Sequence, residues 1–384
     1  MKKALLILAL LGVIAGIVVA GREIVQPYRG YTGQIIVEIP PGMQAPEVAS
    51  RLVEKGVLAH RWPFLLIYGA FRWRRHLKAG EYLFDHPMRP LDVYRKLIRG
   101  EVYFRTVVIP EGSNRFDIAR ILQRRLDIAP DDFLRVTEDP SPIQDLDPQA
   151  PSLEGYLFPD TYQFEYHSTA AHIAMTMVAR FREVLQQNFQ QDLSQCGETL
   201  HHVITLASLV EKETPDPNER AIIAQVFELR LQKNMLLQCD PTVAYAAELA
   251  QLRATPITES DLNLQSPYNT YVHTGLPPGP ICNPGKASIL AALHPASTHY
   301  LYFVSNNQGG HRFATTLAEH ERNVARYRKQ VAALRHLAAD SAGTSQHTHK
   351  TKSRKGGKAK NSGGDVSPKA RRGNHPGLSR GTQP

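Results

Sequence analysis

The sequence predicts an α+β chain built in pieces: an apolar N-terminal helix, a small α+β module, and a mainly helical domain with a small sheet. Three observations carry this. An uncharged apolar run follows the first three residues, a strand-turn-helix pattern occurs twice at an offset of 70 residues, and helical periodicity fills the second half. With 384 residues and 42% hydrophobic content, the chain can bury the cores of two or three folded units.

Met1, Lys2 and Lys3 precede an apolar run from Ala4 to Ala20, which is closed by Gly21, Arg22 and Glu23. At about 1.5 Å per helical residue, such a run spans a hydrocarbon core of roughly 30 Å and exceeds the apolar region of a signal peptide. The sequence therefore predicts a cytoplasmic stub and transmembrane anchor over residues 1–22. A cleaved signal ending at Val18-Val19-Ala20 is the competing reading. Both export the remaining chain, and the lysines ahead of the run leave its bulk outside, in the periplasm, held by one pass in the inner (cytoplasmic) membrane.

The net charge of +9 is not a property of the folded body. Ten Lys or Arg and a single acid, Asp365, lie between Ser341 and Pro384, so this tail accounts for the whole imbalance. With almost no apolar residues to bury, residues 340–384 are expected to be disordered. No aromatic platform or recognition helix accompanies the basic residues, and export separates them from nucleic acid, so the readings left are an anionic envelope surface as partner and, equally, a solvated tail with no specific partner. Cys196, Cys239 and Cys282 form neither a zinc nor a Cys-x-x-Cys spacing. Three free thiols are the simpler reading, with one disulfide permitted. His201, His202, His294, His299, His311 and His320 also lack a ligand spacing, so neither metal nor cofactor is expected.

The repeat sets Val37-Glu38-Ile39-Pro40-Pro41-Gly42 against Val107-Val108-Ile109-Pro110-Glu111-Gly112. It continues through Val48 with Ile118, Ala49 with Ala119 and Leu52 with Leu122, as a strand, a Pro-Gly turn and an amphipathic helix require. Gly80 to Phe84 reads as a further strand and Leu91 to Ile98 as a helix, giving a module over 33–135. Its β-α-α-β order is similar to the LysM fold, a module associated with N-acetylated glycans, an analogy of fold pattern alone that leaves a purely structural role equally open. The proline- and acid-rich stretch 136–151 reads as a linker or irregular loop. A second domain, 152–339, contains helical patterns at Ala170 to Asn188, His201 to Lys212, Asn218 to Lys233 and Ala314 to Leu337, with a strand at Tyr300 to Val304.

In the helix near His201, residues Val203, Leu206, Ala207 and Val210 form a buried stripe, and Glu211 and Glu213 flank it on either side. Desolvation raises a carboxyl pKa, as an acid catalyst near neutral pH needs. At about 4.3 a glutamic acid is protonated roughly once in 500 molecules at pH 7, and lifting it a little above 6 costs about 2.7 kcal/mol. Periodicity does not choose between the two residues. Asp216, Pro217 and Glu219 read as the start of the next helix, with Glu219 in a capping box. Three loop clusters are rich in polar and turn residues. Glu154 to Tyr162 mixes aromatics with the carboxylates of Glu154 and Asp160, a composition suited to sugar rings. Gln238 to Thr242 sets Asp240 ahead of a proline, and Ser266 to Tyr271 leads into the Gly- and Pro-rich stretch 275–280.

Taken in order, EGYLFPDTY at 154–162, LASLVEKET at 206–214, CDPTVAY at 239–245, SPYNTY at 266–271, GLPPGPICNPG at 275–285 and HPASTHYLYFVSNNQGGHRF at 294–313 resemble the endolytic murein transglycosylase family, also called MltG or YceG-like. The likeness runs from the N-terminal run to about Tyr327 and leaves out the basic tail. It departs at Cys282, where no thiol is expected, and in the turn after Pro278-Gly279. The resemblance implies a lyase, a lytic transglycosylase that cuts between N-acetylmuramic acid and N-acetylglucosamine within peptidoglycan strands, leaves 1,6-anhydro ends and limits strand length beside peptidoglycan synthases. It places the catalytic glutamate on Glu213, with Glu211 as runner-up, and makes Asp240, Asn269 and Tyr271 candidates for stabilising charge or positioning sugar. A hydrolytic muramidase and a non-catalytic glycan-binding scaffold of the cell-wall synthesis machinery are the alternatives.

Overall fold

The structure, a computed structural model, describes Leu11, Val18 and residues 21–71, 76–252 and 257–351, with side chains as far as Leu334. The expected transmembrane run, apart from Leu11 and Val18, and the basic stretch 352–384 lie outside the described residues. Among the described residues no helix is long and apolar enough to cross a membrane. In chain order the elements are β1 (Ile35–Ile39), α1 (Ala45–Glu54), α2 (Arg61–Phe71), β2 (Gly80–Phe84), α3 (Pro90–Arg99), β3 (Phe104–Val108), α4 (Arg115–Leu126), α5 (Pro130–Glu138) and β4 (Thr161–Glu165). They continue as α6 (Ala170–Asn188), α7 (Gln190–Cys196), α8 (Leu200–Glu213), α9 (Pro217–Gln232), α10 (Asp240–Leu249), α11 (Lys286–Leu293), β5 (Tyr302–Ser305), β6 (His311–Ala314) and α12 (Leu317–Thr351).

The chain divides into two compact units. The first comprises Met1–Ile109, Ala119–Phe133 and Thr161–Ile173, and the second comprises Pro110–Ile118, Leu134–Asp160 and Ala174–Pro384. In the first unit, β1 and β2 pair antiparallel from Ile35↔Phe84 to Ile39↔Gly80, with α1 and α2 between them in sequence. Val37, Ile39, Val48, Leu52, Phe64, Tyr82, Phe84 and Leu97 close one apolar core, each large side chain contributing about 1.5–3 kcal/mol on burial. The repeat is physical. Gly42 and Gly112 both adopt positive φ, at 83° and 75°, in the two Pro-Gly turns. Val48 and Ile118, Ala49 and Ala119, and Leu52 and Leu122 are buried in both copies.

The repeat does not build one sheet. β3 pairs with β4, from Phe104↔Glu165 to Val108↔Thr161, so residues beyond the expected boundary at 135 belong to the first unit and 110–118 to the second. The stretch read as a linker is turn-rich yet packed. Ile143, Asp147 and Ala150 are buried, and Asp147 bonds the Tyr156 hydroxyl and lies 2.8 Å from His201 Nδ1. Its prolines shape turns that carry a buried carboxylate into the second unit.

The second unit is mainly helical, as the sequence implies, with a small two-stranded sheet, β5 antiparallel to β6. α8 is its central element. Thr199 caps it, its hydroxyl accepting from His202 N at 3.1 Å, every residue from Val203 to Val210 is buried, and it packs on α11, α9 and α10. α12 packs on β5 and β6 and runs to Thr351, past the expected boundary at Ala339. Gly155 is fixed by sterics: at φ +90°, an added Cβ would lie 2.4 Å from Pro280 and 2.9 Å from Ile204. Gly155→Ala is expected to cost about 2–4 kcal/mol through left-handed backbone strain and overpacking, read as a fall in the denaturation midpoint.

Candidate functional site

Glu213 is the last residue of α8, and Thr214 turns the chain toward α9. Asp216 caps α9, its carboxylate accepting from Asn218 N at 2.9 Å with Pro217 in the first turn. Glu219 does not close the expected capping box. Its carboxylate instead accepts from His311 N at 2.7 Å and lies 2.7 Å from His311 Nδ1, tying α9 to β6. Its role is structural, as read, but over a longer range.

The half-buried Glu213 carboxyl takes a hydrogen bond from the buried Cys239 thiol, at the N-cap of α10. Asp240, the first residue of that helix, adds a like charge nearby, and Arg230 an opposite one. Burial first, then Asp240, lift the Glu213 pKa from 4.5 to about 7, against the lowering effects of Cys239 and Arg230. The negative end of the α8 dipole works in the same direction. Burial and the Glu213 charge push the Cys239 thiol up, so it stays protonated and able to donate. The guanidinium of Arg230 is anchored in the interior: Nε donates to Leu301 O at 2.7 Å, and Nη1 to Leu237 O at 2.9 Å and Leu236 O at 3.1 Å.

The start of α10 is laced to the loop 266–271. Cys239 N donates to Thr270 Oγ1 at 3.0 Å, Gln238 N to Thr270 O at 3.1 Å, and the Thr242 and Thr270 hydroxyls lie 2.9 Å apart. The Tyr271 hydroxyl donates to Asp240 Oδ1. Glu213, Asp240, Tyr271, Cys239 and Arg230 thus form one cluster, in which an acid able to hold a proton at neutral pH faces an oriented carboxylate.

A model of the YceG-like family matches residues 37–326. The chain belongs to the YceG-like family. The endolytic murein transglycosylase of Bacillus subtilis (strain 168) is 31% identical over 331 residues, covering 82% of this chain and 91% of that relative. One from Streptococcus pneumoniae serotype 2 is 29% identical over 322 residues, covering 76% of this chain and 58% of the relative. The crystal structure of a YceG-like protein from Listeria monocytogenes superposes with a TM-score of 0.52 at 33% identity, over 76% of this chain and 98% of that one.

Of the other residues singled out in this YceG-like sequence, Glu211 faces a separate set of partners. It pairs with Arg220 at 3.3 Å and accepts from Gly285 N at 3.0 Å. Glu154 is 1% exposed, so it is a structural carboxylate and not a sugar contact. It accepts from Arg115 N at 3.0 Å, Tyr245 OH at 3.1 Å and Asn283 Nδ2 at 3.0 Å, and burial lifts it to about 7 despite Arg115. Asn269 is fully buried too: it donates to Leu262 O and Leu264 O and accepts from Tyr271 N, shaping the loop instead of touching a ligand. Asp160, in the loop ahead of β4, pairs with Arg180 of α6 at 2.8 Å.

Sequence reasoning missed two members of the cluster. Cys239 is adjacent to Asp240, but a thiol outside any metal or redox spacing gives no signal. Arg230 reads as an ordinary polar position of an amphipathic helix, and only the fold shows it to be 1% exposed. All three cysteines are free. Among the described residues no three His, Cys, Asp or Glu are gathered as metal ligands.

Proposed function

We propose that the chain is an endolytic murein transglycosylase, a lyase that cuts the bond between N-acetylmuramic acid and N-acetylglucosamine inside peptidoglycan strands, with Glu213 as acid and then base. The observation that carries the site assignment is the Glu213 carboxyl at the end of α8, lifted to about 7 beside Asp240. The family membership and the names of the relatives carry the substrate.

In the first step the protonated Glu213 gives its proton to the glycosidic oxygen, the bond from the muramic C1 to that oxygen breaks, and the glucosamine leaves as an alcohol. Positive charge grows at C1 and the ring oxygen, and Asp240, held by Tyr271, is the carboxylate placed to stabilise it. In the second step the muramic 6-hydroxyl attacks C1, its proton passes to the Glu213 carboxylate, and the 1,6-anhydro ring closes. The enzyme returns to its starting protonation state without water. This explains why one acid suffices where hydrolytic glycosidases pair two carboxyls. Glu211, already engaged by Arg220 and Gly285, is not the acid.

The apolar run 4–20 supports a single membrane anchor with the bulk of the chain in the periplasm, where nascent strands and their synthases are found. The β1-α1-α2-β2 arrangement supports a LysM-like glycan-binding role for the first unit. Digestion of purified uncrosslinked glycan by the full chain tests the reaction. Fragments ending in anhydromuramic acid are expected; fragments with free reducing ends would make it a hydrolase, and intact glycan a binding protein.

Cys239→Ala removes the donor that favours the Glu213 carboxylate, so the proton is held to higher pH. The alkaline limb of the rate-pH profile is expected to move up, and Cys239→Ser to restore it. An unmoved limb in both variants would remove Cys239 from the tuning of the acid.

A further inference from the structure

Helix α2 carries one charged residue, Arg61, among its eleven. Pro63, Phe64 and Ile67 bury one side of it. Trp62, Leu66, Gly69 and Ala70, which fall within a sector about 100° wide, are all exposed, with Trp62 at 39% and Leu66 at 59%. Phe71 ends the helix at 44% exposed, stacked on Tyr94. The near end of the helix meets the chain that leaves the apolar run: Arg22, Glu23 and Tyr28 line a cavity of about 370 Å³ with Leu58, His60 and Pro63, and Glu23 pairs with His60 at 3.5 Å. An apolar helix face with an interfacial tryptophan therefore starts where the polypeptide emerges from its most apolar segment.

We propose that the Trp62, Leu66 and Ala70 face of α2 lies on the anionic lipid surface of the membrane that holds residues 4–20, a proposal that rests on the anchor reading above. Three features favour lipid as the occupant. Trp prefers the headgroup level of a bilayer, and Leu and Phe accompany it on the apolar face of helices that lie in the interface. Arg22 and Arg61 stand at the near end of the helix, and the sequence after Phe71 continues Arg72-Trp73-Arg74-Arg75, charges that complement anionic lipid. Finally, a tethered chain keeps the face close to lipid at all times, so shallow burial of a few side chains suffices. The first unit would then be held against the bilayer rather than swinging on its tether.

The chain has two tryptophans, so Trp73→Phe leaves Trp62 as the single reporter. The full-length variant is incorporated into phosphatidylglycerol-rich vesicles whose acyl chains do or do not carry bromine. The expected result is a loss of Trp62 emission in the brominated vesicles, reduced when Leu66→Ser is added. Emission that is equal in both vesicles from a chain that floats with them overturns the proposal. So does emission shielded from aqueous iodide yet untouched by bromine, which would mean that a second copy of the chain covers the face. A chain that does not float overturns both this proposal and the anchor, while cleavage of glycan by the same preparation leaves the proposed reaction standing.

Discussion

Glu213→Gln is expected to lower glycan cleavage by about 10²–10⁴-fold or more, the contribution typical of a positioned acid-base group, measured as anhydro-ended fragments released per unit time. The amide has nearly the shape of the neutral acid but can neither give a proton to the glycosidic oxygen nor accept one from the 6-hydroxyl. Fold loss does not account for the effect, because the sign of the stability change is opposite. Glu213 holds its proton more tightly in the folded chain, near 7, than at its ordinary 4.5. Its favourable contribution is complete below about 4.5 and is lost as pH rises through about 7, a difference on the order of 3 kcal/mol. At pH 8 the variant should therefore unfold at an equal or higher denaturant concentration than the parent. Glu211→Gln makes the contrast: it weakens the ion pair with Arg220 and is expected to lower stability while leaving Glu213, the proposed acid, in place.

Glu154→Ala should give the largest stability loss of the single substitutions considered, about 3–5 kcal/mol. It leaves Arg115 N and the Tyr245 hydroxyl without their acceptor, and Asn283 Nδ2 with only Ser113 O. It also strips the nearby Arg115 guanidinium, whose Nε lies 3.8 Å away, of its counter-charge. Each buried donor left unmade costs on the order of 1–3 kcal/mol. Because Glu154 does not meet solvent, the fraction that remains folded should bind glycan with unchanged KM; a raised KM at full folding would return this residue to the substrate site. Glu154 adds to the pH dependence with the same sign as Glu213, since burial lifts it to about 7. Denaturation midpoints of the parent should fall between pH 4.5 and 7.

Much of this was legible in the sequence because it is local. The helix expected from Ala170 to Asn188 and the strand from Gly80 to Phe84 appear with those bounds. The pairs Val48/Ile118 and Leu52/Leu122 are buried alike in both repeats. The flanking positions of Glu211 and Glu213 also follow from helical geometry, whereas the choice between them came from the family resemblance, not from periodicity.

What the sequence hid is long-range. No local pattern tells that Phe104–Val108 pairs with Thr161–Glu165, a pairing that carries the first unit past a boundary at 135. Aromatic and acidic composition around Glu154 suits a sugar site and a buried polar network equally well, and only the partners Arg115, Tyr245 and Asn283 decide between them. Asn269 looked like a ligand contact because loops carry such residues, but its side chain is spent on the backbone of its own loop.

The most direct test is an infrared titration of the Glu213 carboxyl in the folded chain, taken as the difference between the parent and Glu213→Gln across pH 4 to 9. The protonated C=O band is expected to persist to neutral pH and to disappear with a midpoint near 7. A midpoint near 4.5, the value of an ordinary glutamate, would mean that the carboxyl is ionised where the enzyme must donate, and would contradict its role as the acid.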